Sequence, residues 1–556
     1  MASGPDYLAK VAACLAVVST ATLVWFGSGL NPWWPLLWFA PLPVLLFASR
    51  SSWWGAALTA FLAWLVGSLN MWHYFHVLHA PPSTWVVISS SEALLFMASV
   101  LLFRALLRRG AWWSAMLAFP ATWVSFEYLL NLISPHGTAG GLSYSQLNFL
   151  PFLQLASVTG PWGMSFVLLL FSAALVIGVH LRRAAPKQAL RIVGAGLGMV
   201  VLVLIFGAVR LSLPVSGQRI RVGLIASDEP VNVDVADEGT QTERLFRDYA
   251  AAAEALAARG AQVIVLPEKL GVAVGPETRD IDMIFQPLAD KTKSTIVVGL
   301  IEVSPPVKFN RARVYAPGAQ VLTYDKHHLL PPFESKLRPG TMLTLMPTPS
   351  GTWGVAICKD MDFTPLSRQY GEADTGLMLV PAWDFVLDRW LHGHMAVMRG
   401  VESGFSIARA AKQGYLTVSD DRGRILAETR SDAAPFATLL ADVPAAHNTT
   451  LFVPAGRLVR LGRTGDIRFR AAAALPITQD AGCLSGCGRS GPAQVTSLLT
   501  PRLPERFEDI SVRSRRLHRS APSRANSRDA GYWETTARSP GVKLRFPALW
   551  SSNPNV

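Results

Sequence analysis

Two things are scarce in this sequence: cysteine and charge. Only four cysteines occur among 556 residues, at Cys14, Cys358, Cys483 and Cys487. The last two make one C-x3-C pair, and a closed zinc site needs a second, so no zinc-held module organises the chain. A disulfide outside the cytoplasm is the other reading of that pair, and an incidental one. Charged residues amount to 16% of the chain, and they are nearly missing from long stretches before residue 213. The mean hydropathy of +0.29 is high for a wholly soluble protein and fits a membrane portion joined to a soluble one. A small-residue cleavage site is also lacking ahead of the second apolar stretch, which excludes a removable signal peptide over residues 1–30.

What is there, up to about Leu213, is apolar and aromatic. Seven stretches, near 8–29, 33–49, 53–72, 84–107, 112–133, 161–181 and 192–213, approach the roughly 20 residues of helix that cross a bilayer. The second is short and proline-rich. Trp33/Trp34, Trp53/Trp54 and Trp112/Trp113 stand at span edges, where an indole keeps its ring in lipid and its N–H near water. Lys10, Arg50, Arg108, Arg109, Arg182, Arg183, Lys187 and Arg191 fall before the first span or after the second, fourth and sixth; the loops after spans one, three and five hold no Lys or Arg. By the positive-inside rule the N-terminus is cytoplasmic and everything after the seventh span is extracytoplasmic. Arg210 is the one charge on the wrong side, at a helix end from which it can snorkel.

The net charge of +13 is accounted for by those loops and an arginine-rich tail, so nucleic acid is not an expected partner. Three regions follow: 1–215 as a transmembrane helical domain, 219–445 as a soluble α/β domain, and 455–556 as a Ser-, Arg- and Pro-rich tail expected to be disordered. The middle region opens with RIRVGLIAS, a helical stretch near 240–259 and AQVIVLPEKLG, the βαβ pattern of a sheet with buried strands. Further strands are read in STIVVGLIEV, RARVYAP, AQVLTYDKHHLL, TWGVAICKD and TGLMLVPAWDF; residues 390–412 read as a helix, and the segment after them as a hairpin turning near Asp421–Gly423.

Glu268, Lys326 and Cys358 each stand at a strand end, where sites assemble in α/β sheets. A carboxylate can take a thiol proton, the thiolate can attack an acyl carbonyl, and an ammonium can stabilise the oxyanion. Cys358 taken alone is more commonly a small apolar filler than a nucleophile. Trp383 and Phe385, in VPAWDF, suit an acyl-chain cleft or a core equally well. His73, His76 and His79 have ligand-like spacing without an acidic or cysteine partner nearby; His327 and His328 are expected to position the loop beside Lys326; Cys14 is expected to face lipid or pack; Glu127 is the main acidic residue in a span.

The order Glu, Lys, Cys at strand ends is similar to the nitrilase superfamily of carbon–nitrogen hydrolases, whose domain is an αββα sandwich. With a multi-span region ahead of it, and with SYSQLNFLPFLQLASVTGPWGMSF leading into a late span, residues 5–445 resemble the bacterial apolipoprotein N-acyltransferases. The resemblance implies Glu268 as general base, Lys326 as oxyanion-stabilising cation and Cys358 as acylated nucleophile. Glu334, eight residues after Lys326, matches a second active-site glutamate; Asp360 keeps the acid found two residues after the nucleophile; Trp383 and Phe385 fall in an aromatic active-site loop. Lys359 departs from the family, which has an aromatic there, and nothing after Leu451 is apolar for long enough to form the family's usual last helix.

The resemblance further implies a bacterial inner-membrane acyltransferase of lipoprotein biosynthesis that moves an acyl chain from phospholipid to a diacylglyceryl-cysteine lipoprotein, with an extracytoplasmic (periplasmic) catalytic domain and no metal or organic cofactor. Two alternatives stay open: a membrane-anchored nitrilase-type amidase or hydrolase, and a non-catalytic transporter or scaffold whose three residues are far apart.

Overall fold

The first helix, Gly4–Gly27, ends where the chain must turn. A computed structural model of the protein describes residues 4–78, 80–215, 217–229 and 240–454. His79, Cys483, Cys487 and the tail at 455–556 lie outside the described residues. Among the described residues six helices are long and apolar enough to cross a membrane: Tyr7–Gly27, Trp53–Val77, Pro82–Arg108, Trp112–Ile133, Ala156–Leu181 and Pro186–Ser212. The expected second span is not one helix. Pro41 and Pro43 follow Ala40, and the stretch breaks into Trp34–Phe39 and Leu42–Arg50, because proline removes an amide donor and crowds the preceding turn.

This broken pair still carries the chain from one end of the bundle to the other. Asn70 Nδ2, just past Trp53–Gly67, donates to Trp25 O at 2.9 Å and Ser28 O at 3.2 Å, so the two helices share a C-terminal level. At the opposite end Ser51 O accepts from Arg104 and Arg108, each at 2.9 Å, and Arg50 lies within electrostatic reach of His180. Two parallel helices in succession require a return between them. Trp38 anchors it: its indole N–H donates to Gln146 Oε1 at 2.8 Å and its carbonyl accepts from Ser172 Oγ at 2.6 Å. Cys14 is exposed on the outer face of the bundle.

Among the described residues beyond Leu213, thirteen strands form two sheets. In chain order they are β1 (Arg219–Ala226), β2 (Val263–Val265), β3 (Val272–Val274), β4 (Thr295–Ser304), β5 (Val307–Tyr315), β6 (Leu322–Asp325), β7 (Thr344–Thr348), β8 (Gly351–Val355), β9 (Thr375–Trp383), β10 (Ser406–Lys412), β11 (Tyr415–Ser419), β12 (Ile425–Arg430) and β13 (Ala437–Pro444). One sheet runs β13-β1-β2-β4-β5-β6 with β3 beside β4; the other runs β12-β11-β10-β9-β8-β7. Their facing sides share an apolar core that includes Val222, Val265, Val297, Leu379 and Val418, all fully buried. Helices Thr240–Ala258 and Glu277–Thr292 cover the first sheet, and Thr364–Glu372 with Arg389–Ser403 cover the second. Helix, sheet, sheet, helix is the αββα sandwich. The expected helix over 390–412 stops instead at Ser403: Gly404 takes φ of 78°, and Ser406–Lys412 becomes β10 beside β9 in parallel.

The outer helix Arg389–Ser403 does double duty, since its Met395, Met398 and Val401 join the apolar core of the membrane helices. Arg210 does not snorkel. It reaches Asp421 O at 3.2 Å and a carboxylate oxygen of Asp421 at 3.7 Å, pinning the end of the last membrane helix to the β11–β12 turn. Closer to the centre, Thr138 N and Thr138 Oγ1 donate to Asp362 O at 3.1 and 2.8 Å. Gly137 (φ 56°) packs so tightly there that a Cβ would meet Asp362 O at 2.5 Å.

Candidate active site

Cys358 leaves β8 and enters the tight turn Cys358–Asp362 at once. Its φ is 45°, a left-handed conformation that costs a residue with a Cβ about 1–2 kcal/mol. Asp360 holds the turn. Fully buried, its Oδ2 accepts from Ile357 N at 3.1 Å and Tyr324 Oη at 2.7 Å. Its Oδ1 accepts from His327 N at 3.1 Å and His328 N at 2.8 Å, with His328 Nδ1 at 3.0 Å. One carboxylate thus ties the nucleophile's turn to the loop that begins at Lys326. His327 and His328 take part through that loop, as their neighbours suggested.

On one side of Cys358 stand the expected acid and cation. Glu268 follows β2 and Lys326 follows β6, both almost fully buried. Lys326 Nζ lies 2.8 Å from Glu268 Oε1 and 3.0 Å from Glu334 Oε2. Asn310, on β5, donates from Nδ2 to Glu268 Oε1 at 2.6 Å and Glu334 Oε1 at 2.7 Å. Lys269 pairs with Glu334, and Leu330 N donates to Glu334 Oε2 at 2.7 Å. Burial pulls the Lys326 ammonium down, yet Glu268 and Glu334 outweigh it and hold its titration above the ordinary lysine range. Burial pushes Glu334 up, and Lys326 with Lys269 more than offsets that, bringing it to about 2. Burial, then Glu268, pushes the Cys358 thiol up to about 12, while His392 and Lys326 pull the other way. The resting thiol is therefore protonated, and it donates to Trp383 O at 3.4 Å.

On the other side stands a cluster that no motif announced. His392, on helix Arg389–Ser403, lies 2.9 Å from Asp384 Oδ1 through Nδ1 and 3.2 Å from Asp362 Oδ1 through Nε2. Burial disfavours its charge, but Asp362, Cys358 and Asp384 hold it well above the ordinary imidazole range. Arg409, on β10, donates to both oxygens of Asp384 at 2.8 and 2.5 Å. Burial pushes Asp384 up, and Arg409 and His392 bring it to about 2. Ligand-type atoms of Cys358, Asp384 and His392 fall within 4.8 Å of one another, but both Asp384 oxygens are taken by Arg409, so the set is not laid out to grip a cation. His73 and His76 belong to no such cluster among the described residues.

The remaining candidates frame an opening. Trp383 ends β9; its Nε1 donates to Gln413 Oε1 at 3.1 Å, and Lys412 Nζ sits 4.6 Å from its ring centroid. Phe385 lies 5.9 Å, centroid to centroid, from Phe333, which is 59% exposed. Trp383 and Phe385 are both half-buried beside the buried thiol. Glu268, Lys326, Glu334, Asp360 and Cys358 all converge here. Sequence reading missed Asn310, Lys269, Asp384, His392 and Arg409: Asn310, His392 and Arg409 sit in strands or a helix whose pattern was already explained by burial, and Lys269 and Asp384 sit in loops just past β2 and β9.

Two family descriptions match separate parts of the chain. Residues 15–174 match the family described as apolipoprotein N-acyltransferase N-terminal domain, and residues 239–446 match the carbon-nitrogen hydrolase family. The chain is similar to the apolipoprotein N-acyltransferase of Geobacter metallireducens, 27% identical over 70% of this chain and 82% of that protein. It is also similar to that of Haemophilus ducreyi, 26% identical over 66% and 78%. Among solved structures, an amidase from Nesterenkonia sp. covers 45% of this chain and 98% of its own, at 19% identity and a TM-score of 0.37.

Proposed function

The chain belongs to the apolipoprotein N-acyltransferases of the nitrilase superfamily, and from that premise we propose that it moves an acyl chain from a glycerophospholipid onto Cys358 and then onto a lipoprotein's N-terminal amine. One observation carries the reading: a carboxylate and an ammonium 2.8 Å apart, Glu268 and Lys326, share a buried site with Cys358.

In the first half-reaction Glu268 takes the thiol proton and the Cys358 sulfur attacks the ester carbonyl carbon. The negative charge on the carbonyl oxygen is met by the Lys326 ammonium. Collapse breaks the bond to the glycerol oxygen, and that alkoxide receives the proton from Glu268, leaving an acyl thioester and a lysophospholipid. In the second half-reaction the α-amine of a diacylglyceryl-cysteine attacks the thioester, Glu268 accepts the amine proton, and the thiolate departs. Glu334 and Asn310 keep Glu268 and Lys326 in register, Asp360 keeps the turn, and Trp383 and Phe385 border the cleft. A thioester is reactive enough to acylate an amine, and an apolar cleft limits its loss to water.

In this reading 1–215 is the membrane domain and 219–445 the catalytic domain, placed extracytoplasmically at a bacterial inner membrane. Its support is that the basic loops gather at one end of the bundle and the sandwich sits at the other. Incubating the full chain with phospholipid vesicles should leave a hydroxylamine-sensitive acyl group on Cys358 that persists until a diacylglyceryl-cysteine peptide is added. Release of free fatty acid without peptide, and no acylated peptide with it, would show a hydrolase instead.

A further inference from the structure

Lys359 follows Cys358 directly. It is 3% exposed. Its Nζ lies 3.0 Å from His136 Nδ1 and 5.8 Å from the Phe363 ring, and among the described residues no carboxylate lies within 4.0 Å of it. A buried ammonium ordinarily has an anion against it. Here its nearest partner is an imidazole nitrogen, which must accept from the ammonium; the other ring nitrogen, Nε2, then carries a proton and is a second donor. Burial pulls Lys359 below the ordinary lysine range, with Asp362 opposing, as expected of a cation whose counter-ion is not built into the protein.

The surroundings say which anion. His136 is exposed and stands three residues past helix Trp112–Ile133, whose last turns present Leu129, Leu130, Leu132 and Ile133 outward, the last at 81% exposure. The cationic pair thus sits where an apolar, lipid-facing helix end meets the nucleophile turn. A simple bolt between the two parts is not needed here, because Thr138 already fastens to Asp362 O twice. In a glycerophospholipid a few bonds of glycerol separate the phosphate from the ester carbonyl, and Lys359 is the residue next to Cys358.

We propose that Lys359 and His136 form an anion subsite that holds the phosphodiester of the donor glycerophospholipid while its ester carbonyl faces Cys358. This rests on the acyltransferase reading above and adds to it the residues that recognise the donor.

The test measures thioester formation on Cys358 of the full chain in detergent micelles, with phosphatidylglycerol and with p-nitrophenyl palmitate, which has no phosphate. The preference for the phospholipid over the phosphate-free ester should fall about tenfold in Lys359→Met, recover in Lys359→Arg, and fall severalfold in His136→Gln, an exposed position where folding is not at stake. Inorganic phosphate should slow acylation by phosphatidylglycerol in the wild type and lose that effect in Lys359→Met. Equal losses with both donors in Lys359→Met and His136→Gln would make the pair structural and overturn the proposal. Slowing by inorganic phosphate with an unchanged donor preference in the variants would make it a free-anion site and overturn it too. Acylation of Cys358 by either donor in the wild type keeps the failure of this subsite distinct from failure of the acyltransferase reading, which no adduct from any donor would signal.

Discussion

Cys358 lies between two charge clusters that differ in origin. Glu268, Lys326, Lys269, Glu334 and Asn310 come from loops and a strand of the first sheet; Asp362, Asp384, His392 and Arg409 come from the nucleophile's own turn, the second sheet and its outer helix. The first cluster holds a carboxylate that can accept a proton, and the second holds an imidazolium clamped by two carboxylates, which cannot readily release one. In the proposed reaction the difference becomes a division of labour: Glu268 moves protons on one side, while His392 and Arg409 only hold charge on the other.

Removing the atom that both clusters serve has the largest effect. Cys358→Ala should leave no hydroxylamine-sensitive adduct, read by mass spectrometry after exposure to phospholipid. Next comes the first cluster: Glu268→Gln should slow both thioester formation and transfer by about 10²–10⁴-fold, the usual size of general acid–base catalysis. A loss confined to one half-reaction would break the assignment of one base to both steps.

The second cluster should act more gently and by a different signature. In His392→Asn the pH at which Cys358 alkylation by iodoacetamide is half-maximal should rise by about 1, since an opposite charge nearby favours the thiolate. The acylation rate at neutral pH should fall about tenfold. An unchanged alkylation profile would reduce the cluster to packing. The smallest effect on rate belongs to Glu334. Its carboxyl is held at about 2 in the folded protein, below its unfolded value of about 4.3, so its contribution is complete above pH 4.3 and fades as pH falls toward 2. Glu334→Gln should therefore lower thermal stability at pH 7 by up to about 3 kcal/mol, and the gap should close in acid; a gap independent of pH would speak against the ion pair.

The two clusters also differ in how far the sequence discloses them. Glu268, Lys326 and Cys358 end apolar strand patterns, so a polar residue in each place breaks a rule and draws the eye. Glu334 and Asp360 were reachable only by their offsets in a resembling family. His392 sits in WLHGHM and Arg409 in ARAAK, inside elements whose periodicity is satisfied without them, and only tertiary packing turns them toward the thiol. Arg409 was further obscured because 390–412 reads as one helix: the break rests on a single left-handed glycine, Gly404, and Ala and Arg on both sides favour helix intrinsically. The broken second crossing shows the same limit in reverse. Its apolar content was plain, its prolines were plain, and the finding that it traverses the bundle required Asn70 to meet Trp25.

The contact of Gly137 and Thr138 with Asp362 bears on any attempt to isolate the chemistry. The residue that closes off one end of the nucleophile turn is contributed by a loop more than two hundred positions earlier, from the membrane portion. A fragment beginning at Arg219 would keep Glu268, Lys326, Glu334 and Cys358 and still leave the Asp362 carbonyl and the Lys359 side chain opening onto bulk water. Catalysis and anchorage are, in this molecule, not separable cargo and carrier: the anchor is part of the wall of the reaction vessel.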